Sequence, residues 1–182
     1  MNRRAVFLDR DGTLCEEGPP PTRFDDLRLF RDAVPVVQWL TRQGFAVVVV
    51  SNQAAVARGV VTIGQVRAVN RGLAEYFACH GAPFLTVRFC PHHPEGRVPR
   101  YSAHCNCRKP APGMLTAVAD EFGIDLADSW MVGDNMTDIQ AGWKAGCRSV
   151  LVRTGHGQRF ESLLPPNVPV VDNLQDFVRL LG

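Results

Sequence analysis

Short apolar runs alternate with helical stripes along most of this chain. Residues 6–8, 46–50 and 130–132 are unbroken and mostly β-branched or aliphatic, and 87–89 and 149–152 are apolar apart from Arg88 and Ser149. Runs of that length suit strands buried on both faces, as in a parallel sheet. Between them, Ala33–Arg42 repeats Val34, Val37 and Leu40 at helical spacing and stops at Gly44. Thr62 is placed to cap a helix over 62–80 that ends at Gly81. Further helices are predicted at Gly113–Phe122, at 137–144 and at Leu174–Leu181, the first two ending before Gly123 and Gly146. A closing strand precedes the last helix. This alternation predicts an α/β fold, a doubly wound parallel sheet. Right-handed crossovers gather the strand C-termini on one edge, where such sheets bind ligands. Asp9, Ser51, Cys90 and Asp134 stand at those ends.

Two stretches break the rhythm. Residues 16–26 are acidic and Pro-rich and read as a loop. Residues 90–112 carry five prolines, which argues against regular structure. A loop that long in a compact domain is usually functional or stapled.

Composition narrows the class. The 182 residues suit one domain spanning 1–182. With 46% hydrophobic and 21% charged residues, the chain is ordinary for a globular protein. A net charge of +2 gives no general polyanion signal. The longest strongly apolar run, 45–50, is too short for a bilayer, and the N-terminus lacks a secretory core. A cytoplasmic protein without membrane partners is expected. Its six cysteines then need an explanation suited to a reducing compartment. Cys15, Cys79 and Cys147 stand apart, whereas Cys90, Cys105 and Cys107 cluster with His92, His93 and His104.

Chemistry enters at the strand ends. In Asp9-Arg10-Asp11-Gly12-Thr13, two carboxylates flank a tight turn whose N–H groups can face an anion. One acid suits nucleophilic attack on phosphorus and the other proton transfer. Two solvated acids on a surface turn are the bland alternative. Ser51, with Asn52 beside it, is a candidate phosphate or substrate contact. Lys109 can neutralise a phosphoryl group and an attacking carboxylate together. Asp134, opposite Asp9, can complete a Mg²⁺ site, and Asp138 follows one helical turn later.

Together, Asp9-Arg10-Asp11-Gly12-Thr13, Ser51, Lys109 and Gly133-Asp134 with Asp138 resemble the four motifs of haloacid-dehalogenase-like phosphatases, in order. The resemblance implies a Rossmann-like sheet and Mg²⁺-dependent catalysis. It implies that Asp9 is the nucleophile forming an aspartyl-phosphate, and that Asp11 is the acid/base and lends Mg²⁺ its main-chain carbonyl. Asp134 is then the second carboxylate ligand of Mg²⁺. Ser51 and Lys109 hold the phosphoryl group, and Asp138 supports the metal.

Cys90-Pro91-His92 and Cys105-Asn106-Cys107 supply four N/S ligands in two pairs, suited to tetrahedral Zn²⁺. Spacing alone leaves His93 and His104 as competitors, and free thiols or a disulfide as alternatives. The segments "CPHHPEG" and "CNCRKPAPGML" further resemble the heptose-bisphosphate and histidinol-phosphate phosphatase subfamily, over residues 5–154. That resemblance implies Cys90, His92, Cys105 and Cys107 as Zn²⁺ ligands, no large cap domain, and a small phosphorylated sugar as substrate. A zinc clip over 90–107 is then expected to aim Lys109 at the transferred phosphate and Arg108 at the rest of the substrate, with Arg58 a weaker candidate. The absence of a cap fits a monomer. The chain departs from the subfamily in "EEGPPPTRF", where a Gly-Tyr pair is usual, and at Ala54-Ala55, where Ser-Gly is usual. Both segments are expected to face substrate.

Two other functions compete with a heptose-bisphosphate phosphatase. One is a phosphatase for histidinol phosphate or another small metabolite. The other is a non-catalytic zinc module binding nucleic acid. That module would need a basic face, and the small net charge and 8% aromatics disfavour it.

Overall fold

Six strands carry the apolar runs: β1 (Ala5–Leu8), β2 (Ala46–Asn52), β3 (Thr86–Cys90), β4 (Trp130–Gly133), β5 (Arg148–Val152) and β6 (Val170–Val171). In the computed structural model, which describes residues 3–182, they form one all-parallel sheet in the order β3-β2-β1-β4-β5-β6. The order reverses at β1, whose neighbours are β2 and β4. Leu8 pairs with Val49 on one side and Val132 on the other. Asp9 therefore emerges in the crevice where a doubly wound sheet opens to ligands. No inserted domain covers that edge among the described residues.

Strand alternation sorts the core into two layers. Val6, Leu8, Val47 and Val49 face α1 (Ala33–Arg42), α3 (Ile63–Cys79) and α7 (Leu174–Leu181), packing on Val37, Leu40, Leu73, Phe77 and Phe177. Phe7, Val48 and Val50 face the opposite way, onto Leu115 and Val118 of α4 (Gly113–Phe122) and Ala141 of α5 (Met136–Ala145). All four β1 residues are fully buried. Burying a Val, Leu or Phe side chain contributes about 1.5–3 kcal/mol, so β1 is a rigid mount for Asp9.

Caps set the helix starts. Thr62 Oγ1 accepts the Gln65 N–H at 3.1 Å, and Gln65 Oε1 accepts the Thr62 N–H at 2.8 Å. This reciprocal box begins α3 one residue after Thr62. Asn135 caps α5 in the same way, its Oδ1 accepting the Thr137 N–H at 3.1 Å.

Two one-turn helices are additions to the expected elements: α2 (Ala54–Ala57) after β2, and α6 (Gly157–Phe160) after β5. A single turn is too short to show helical periodicity. Residues 90–112 hold only a 3₁₀ turn at Pro99–Tyr101, and the first loop only one at Phe24–Asp26. No described helix is long and apolar enough to cross a membrane.

Candidate active site and metal cluster

The C-terminal sheet edge opens into a cleft of 390 Å³. On its floor, Lys109 Nζ lies 2.7 Å from Asp9 Oδ1, 2.6 Å from Asp138 Oδ1 and 2.7 Å from the Val50 carbonyl. The ammonium thus donates to Asp9 and Val50 and pairs ionically with Asp138, and the side chain is 2% exposed. Burial works against the charged ammonium, but the Asp138 and Asp9 carboxylates outweigh it and raise its pKa. The Lys109 main chain is held as well. Asn52 donates from Nδ2 to the Lys109 carbonyl at 2.9 Å, and its Oδ1 accepts the Lys109 N–H at 3.1 Å. The Asn52 side chain therefore reaches the Lys109 backbone, while the residue still lines the cleft.

Asp9, Asp134 and Asp138 bring carboxylate oxygens within 4.8 Å of one another. Asp138 serves two contacts at once: Oδ2 accepts the Asn135 N–H at 3.0 Å and Oδ1 faces Lys109. Gly133 makes this possible, because a Cβ there would overlap the Asp138 carboxyl group. Asp134 Oδ2 accepts the His156 N–H at 2.7 Å. Gly12 sits beside it at φ +80°, where a Cβ would be strained and would overlap Asp134 Oδ2. Burial pushes the Asp9 carboxyl well up; Lys109 opposes this, and Asp138, Asp134 and Asp11 add to it. Burial likewise pushes Asp134 up to about 7 against the His156 hydrogen bond, with Asp138 and Glu17 adding to the rise. Three carboxylates around one ammonium leave two negative charges formally unbalanced. An all-oxygen donor set with that excess is what a hard divalent cation requires.

The Asp11 carboxylate lies outside this acidic group, on the cleft wall. Its Oδ1 accepts from Arg10 Nε at 3.0 Å, and its Oδ2 from Arg10 Nη2 and Gln53 Nε2, both at 2.8 Å. Ser51 Oγ stands 3.4 Å from the same Oδ2 and accepts from Gln53 Nε2 at 2.7 Å. Arg10, Gln53 and Asn70, which accepts from Arg10 Nη1 at 2.9 Å, were not visible as site residues in the sequence. Their contacts span up to 60 positions and no local spacing announces them. The one available signal was Arg10 itself, a cation placed between two acids at the end of a buried strand.

Beside the cleft, Cys90, His92, Cys105 and Cys107 converge, their ligand atoms within 4.8 Å of one another. The Sγ atoms of Cys90 and Cys105 are 3.5 Å apart, those of Cys107 and Cys90 3.1 Å, and those of Cys107 and Cys105 3.3 Å. His92 Nδ1 lies 3.7 Å from the Cys90 sulfur and 3.5 Å from the Cys107 sulfur. A disulfide needs about 2.05 Å, and all six cysteines are free. Zinc–sulfur bonds of about 2.3 Å in a tetrahedron put neighbouring sulfurs roughly 3.8 Å apart. Soft donors at nearly that separation fit a zinc-sized ion. His93 is turned elsewhere, its Nδ1 accepting the Glu95 N–H at 3.1 Å, and His104 is outside the group. From this cluster the chain runs directly to Arg108, whose Nη1 donates to the His92 carbonyl at 3.2 Å. Arg108 and Arg58 both line the cleft.

A buried aspartate at the switch point, a lysine spanning two carboxylates and a third acid opposite define the class, a haloacid-dehalogenase-like hydrolase. A HAD-hydrolase-like family model matches residues 106–177. D-glycero-beta-D-manno-heptose-1,7-bisphosphate 7-phosphatase of Yersinia pestis is 40% identical over 152 residues, covering 83% of this chain and 81% of the relative. The enzyme of that name from Escherichia coli K12 is 37% identical, covering 96% of this chain and 87% of the relative. The crystal structure of D,D-heptose 1,7-bisphosphate phosphatase from B. bronchiseptica, complexed with magnesium and phosphate, superposes with a TM-score of 0.86 at 29% identity, covering 98% of this chain and 97% of that one. This chain belongs to the D-glycero-beta-D-manno-heptose-1,7-bisphosphate 7-phosphatase family of these hydrolases.

Proposed function

We propose that the protein removes the 7-phosphate of D-glycero-D-manno-heptose 1,7-bisphosphate through an aspartyl-phosphate on Asp9. The observation that carries this reading is the Asp9–Lys109–Asp138 chain on the floor of a cleft whose wall bears Arg108 and Arg58. An oxygen of Asp9 bonds to phosphorus as the ester P–O bond breaks, and Asp11 gives a proton to the departing sugar oxygen. Water then attacks the same phosphorus, Asp11 takes its proton, and the bond to Asp9 breaks to release phosphate. Lys109 neutralises Asp9 and the transferred group together, the largest kind of contribution in such sites. Ser51 and the N–H groups around it receive phosphoryl oxygens.

Asp9, Asp134 and the main-chain carbonyl of Asp11 would hold Mg²⁺, with Asp138 in support. Bound there, Mg²⁺ supplies charge neutralisation at the phosphoryl oxygens. Cys90, His92, Cys105 and Cys107 would hold a structural Zn²⁺. Three unlinked cluster thiols suit a reducing cytoplasm. The second phosphate of the sugar needs its own cation, and Arg108 offers a bidentate fork beside Lys109.

Rapid acid quenching during turnover of the heptose bisphosphate with Mg²⁺, followed by peptide mass analysis, tests the mechanism. A phosphoryl adduct on Asp9 is expected, absent in Asp9→Asn. Turnover without any adduct, or with one on another residue, contradicts it.

One observation favours a second reading. Glu17, exposed at the rim of the cleft, has its carboxyl raised by partial desolvation and by Asp11, against His156. An anionic wall there suits the ammonium of an amino-alcohol phosphate such as histidinol phosphate. Glu17→Gln should leave heptose bisphosphate turnover within about threefold on the first reading. A loss of about tenfold on an amino-alcohol phosphate that the unmodified enzyme prefers would favour the second.

A further inference from the structure

Arg10 is the largest fully buried side chain among the described residues, 1% exposed, and sits between two acids of the site. Neighbouring residues on an extended strand point apart. Here the turn after β1 folds the Arg10 side chain back onto Asp11 as a two-point fork, Nε to Oδ1 and Nη2 to Oδ2. Nη1, the remaining arm, donates to Asn70 Oδ1 at 2.9 Å. Asn70 is a polar residue on the buried face of α3, between Val69 and Leu73, and is 6% exposed. Its Nδ2 finds no partner among the described residues. The amide is therefore oriented for the guanidinium and left half-satisfied in doing so.

A fork of fixed planar geometry sets both the place and the plane of the carboxylate it grips. Asn70 in turn fixes the fork from the middle of a 17-residue helix. The opposite side of Asp11 faces Gln53 Nε2 and Ser51 Oγ on the cleft wall.

We propose that Arg10 and Asn70 are positioning residues for Asp11, holding its carboxylate beside the phosphoryl pocket so that it meets the departing sugar oxygen. Both are buried, Arg10 1% and Asn70 6% exposed, and both act through Asp11. The proposal rests on the acid/base reading of Asp11 given above.

A purely structural role for the pair predicts equal loss on every substrate. A positioning role predicts a split by leaving group. Nitrophenolate leaves without a proton, whereas a sugar alkoxide needs one, and kcat/KM reports steps only through the first P–O cleavage. Positioned proton transfer contributes about 10²- to 10⁴-fold, so partial misplacement should cost about 10- to 100-fold. In Asn70→Ala, kcat/KM should fall by that amount for the sugar phosphate and stay within about threefold for p-nitrophenyl phosphate. Arg10→Lys keeps the charge but loses the fork and should show the same split. In an Asp11→Asn background, Asn70→Ala should cause no further loss on the sugar phosphate, because the coupled residues act as a unit.

Equal losses on both esters, no loss on the sugar phosphate, or an additive loss in the Asp11→Asn background would each overturn the proposal. Should Arg10→Lys fail to fold, the Asn70 variants carry the test alone. The sugar phosphate used is whichever one the unmodified enzyme hydrolyses fastest. A failure of the heptose reading therefore shows in the unmodified enzyme and leaves this test intact.

Discussion

Asp134 carries the pH dependence most open to measurement at the residue scale. Its folded pKa is raised to about 7 by burial, from an ordinary value of 3.8. Asp9 moves the same way for the same leading reason. A raised carboxyl binds more protons in the folded state than in the unfolded one between those two values. Stability therefore falls as pH rises through that window, and the full cost is present above about 7. With Mg²⁺ omitted, the melting temperature should be higher at pH 5.5 than at pH 8. Added Mg²⁺ should raise it more at pH 8, where the acidic group is ionised and the cation binds only the folded site. A melting temperature that rises with pH without Mg²⁺ would contradict the charge excess assigned to this group. Much of the group was legible as sequence, because Asp9, Asp134 and Asp138 each sit at a strand end or the next helical turn. Arg10, Gln53 and Asn70 were not, since nothing in residues 10, 53 and 70 of the chain marks them as neighbours.

Among the elements, the loop over 90–107 has the most to lose. It has one 3₁₀ turn and otherwise no regular structure. Zinc binding supplies roughly 10 kcal/mol in small zinc-folded units, on the scale needed to hold such a segment. Lys109 is also fixed by Asn52, Val50 and the two carboxylates, whereas Arg108 hangs on the His92 carbonyl. Zinc removal, or Cys107→Ser, should therefore weaken KM for a bisphosphate by about tenfold and lower kcat less. A loss of about 1.4 kcal/mol of binding corresponds to that factor. Unchanged KM in zinc-free protein with Mg²⁺ present would show that the clip does not place Arg108. The sequence announced the four ligands as two pairs, yet spacing could not choose His92 over His93. Only the backbone path, which turns the His93 ring toward Glu95, separates them. The same limit hid α2 and α6, one-turn helices held by the sheet edge they follow.

As a whole molecule, the protein is a sheet whose order reversal gathers residues 9, 51, 109 and 134 into one cleft. The β-branched runs made the strands readable, since a parallel sheet covered on both faces needs continuous apolar segments. Strand order was not readable from those runs, because it depends on which crossovers pass over which face. No cap domain covers the cleft among the described residues, so the first loop, the Ala54–Ala57 turn and the zinc loop must shape the substrate's surroundings, and the first two carry the departures from the subfamily pattern. The central claim is therefore about which bond is cut in which sugar. It is tested most directly by phosphorus NMR of the products formed with Mg²⁺ from both anomers of D-glycero-D-manno-heptose 1,7-bisphosphate, beside fructose 1,6-bisphosphate and histidinol phosphate. The account predicts fastest turnover of one heptose anomer, with the 1-phosphate left in place. Release of the 1-phosphate, or faster hydrolysis of histidinol phosphate than of either anomer, would contradict it.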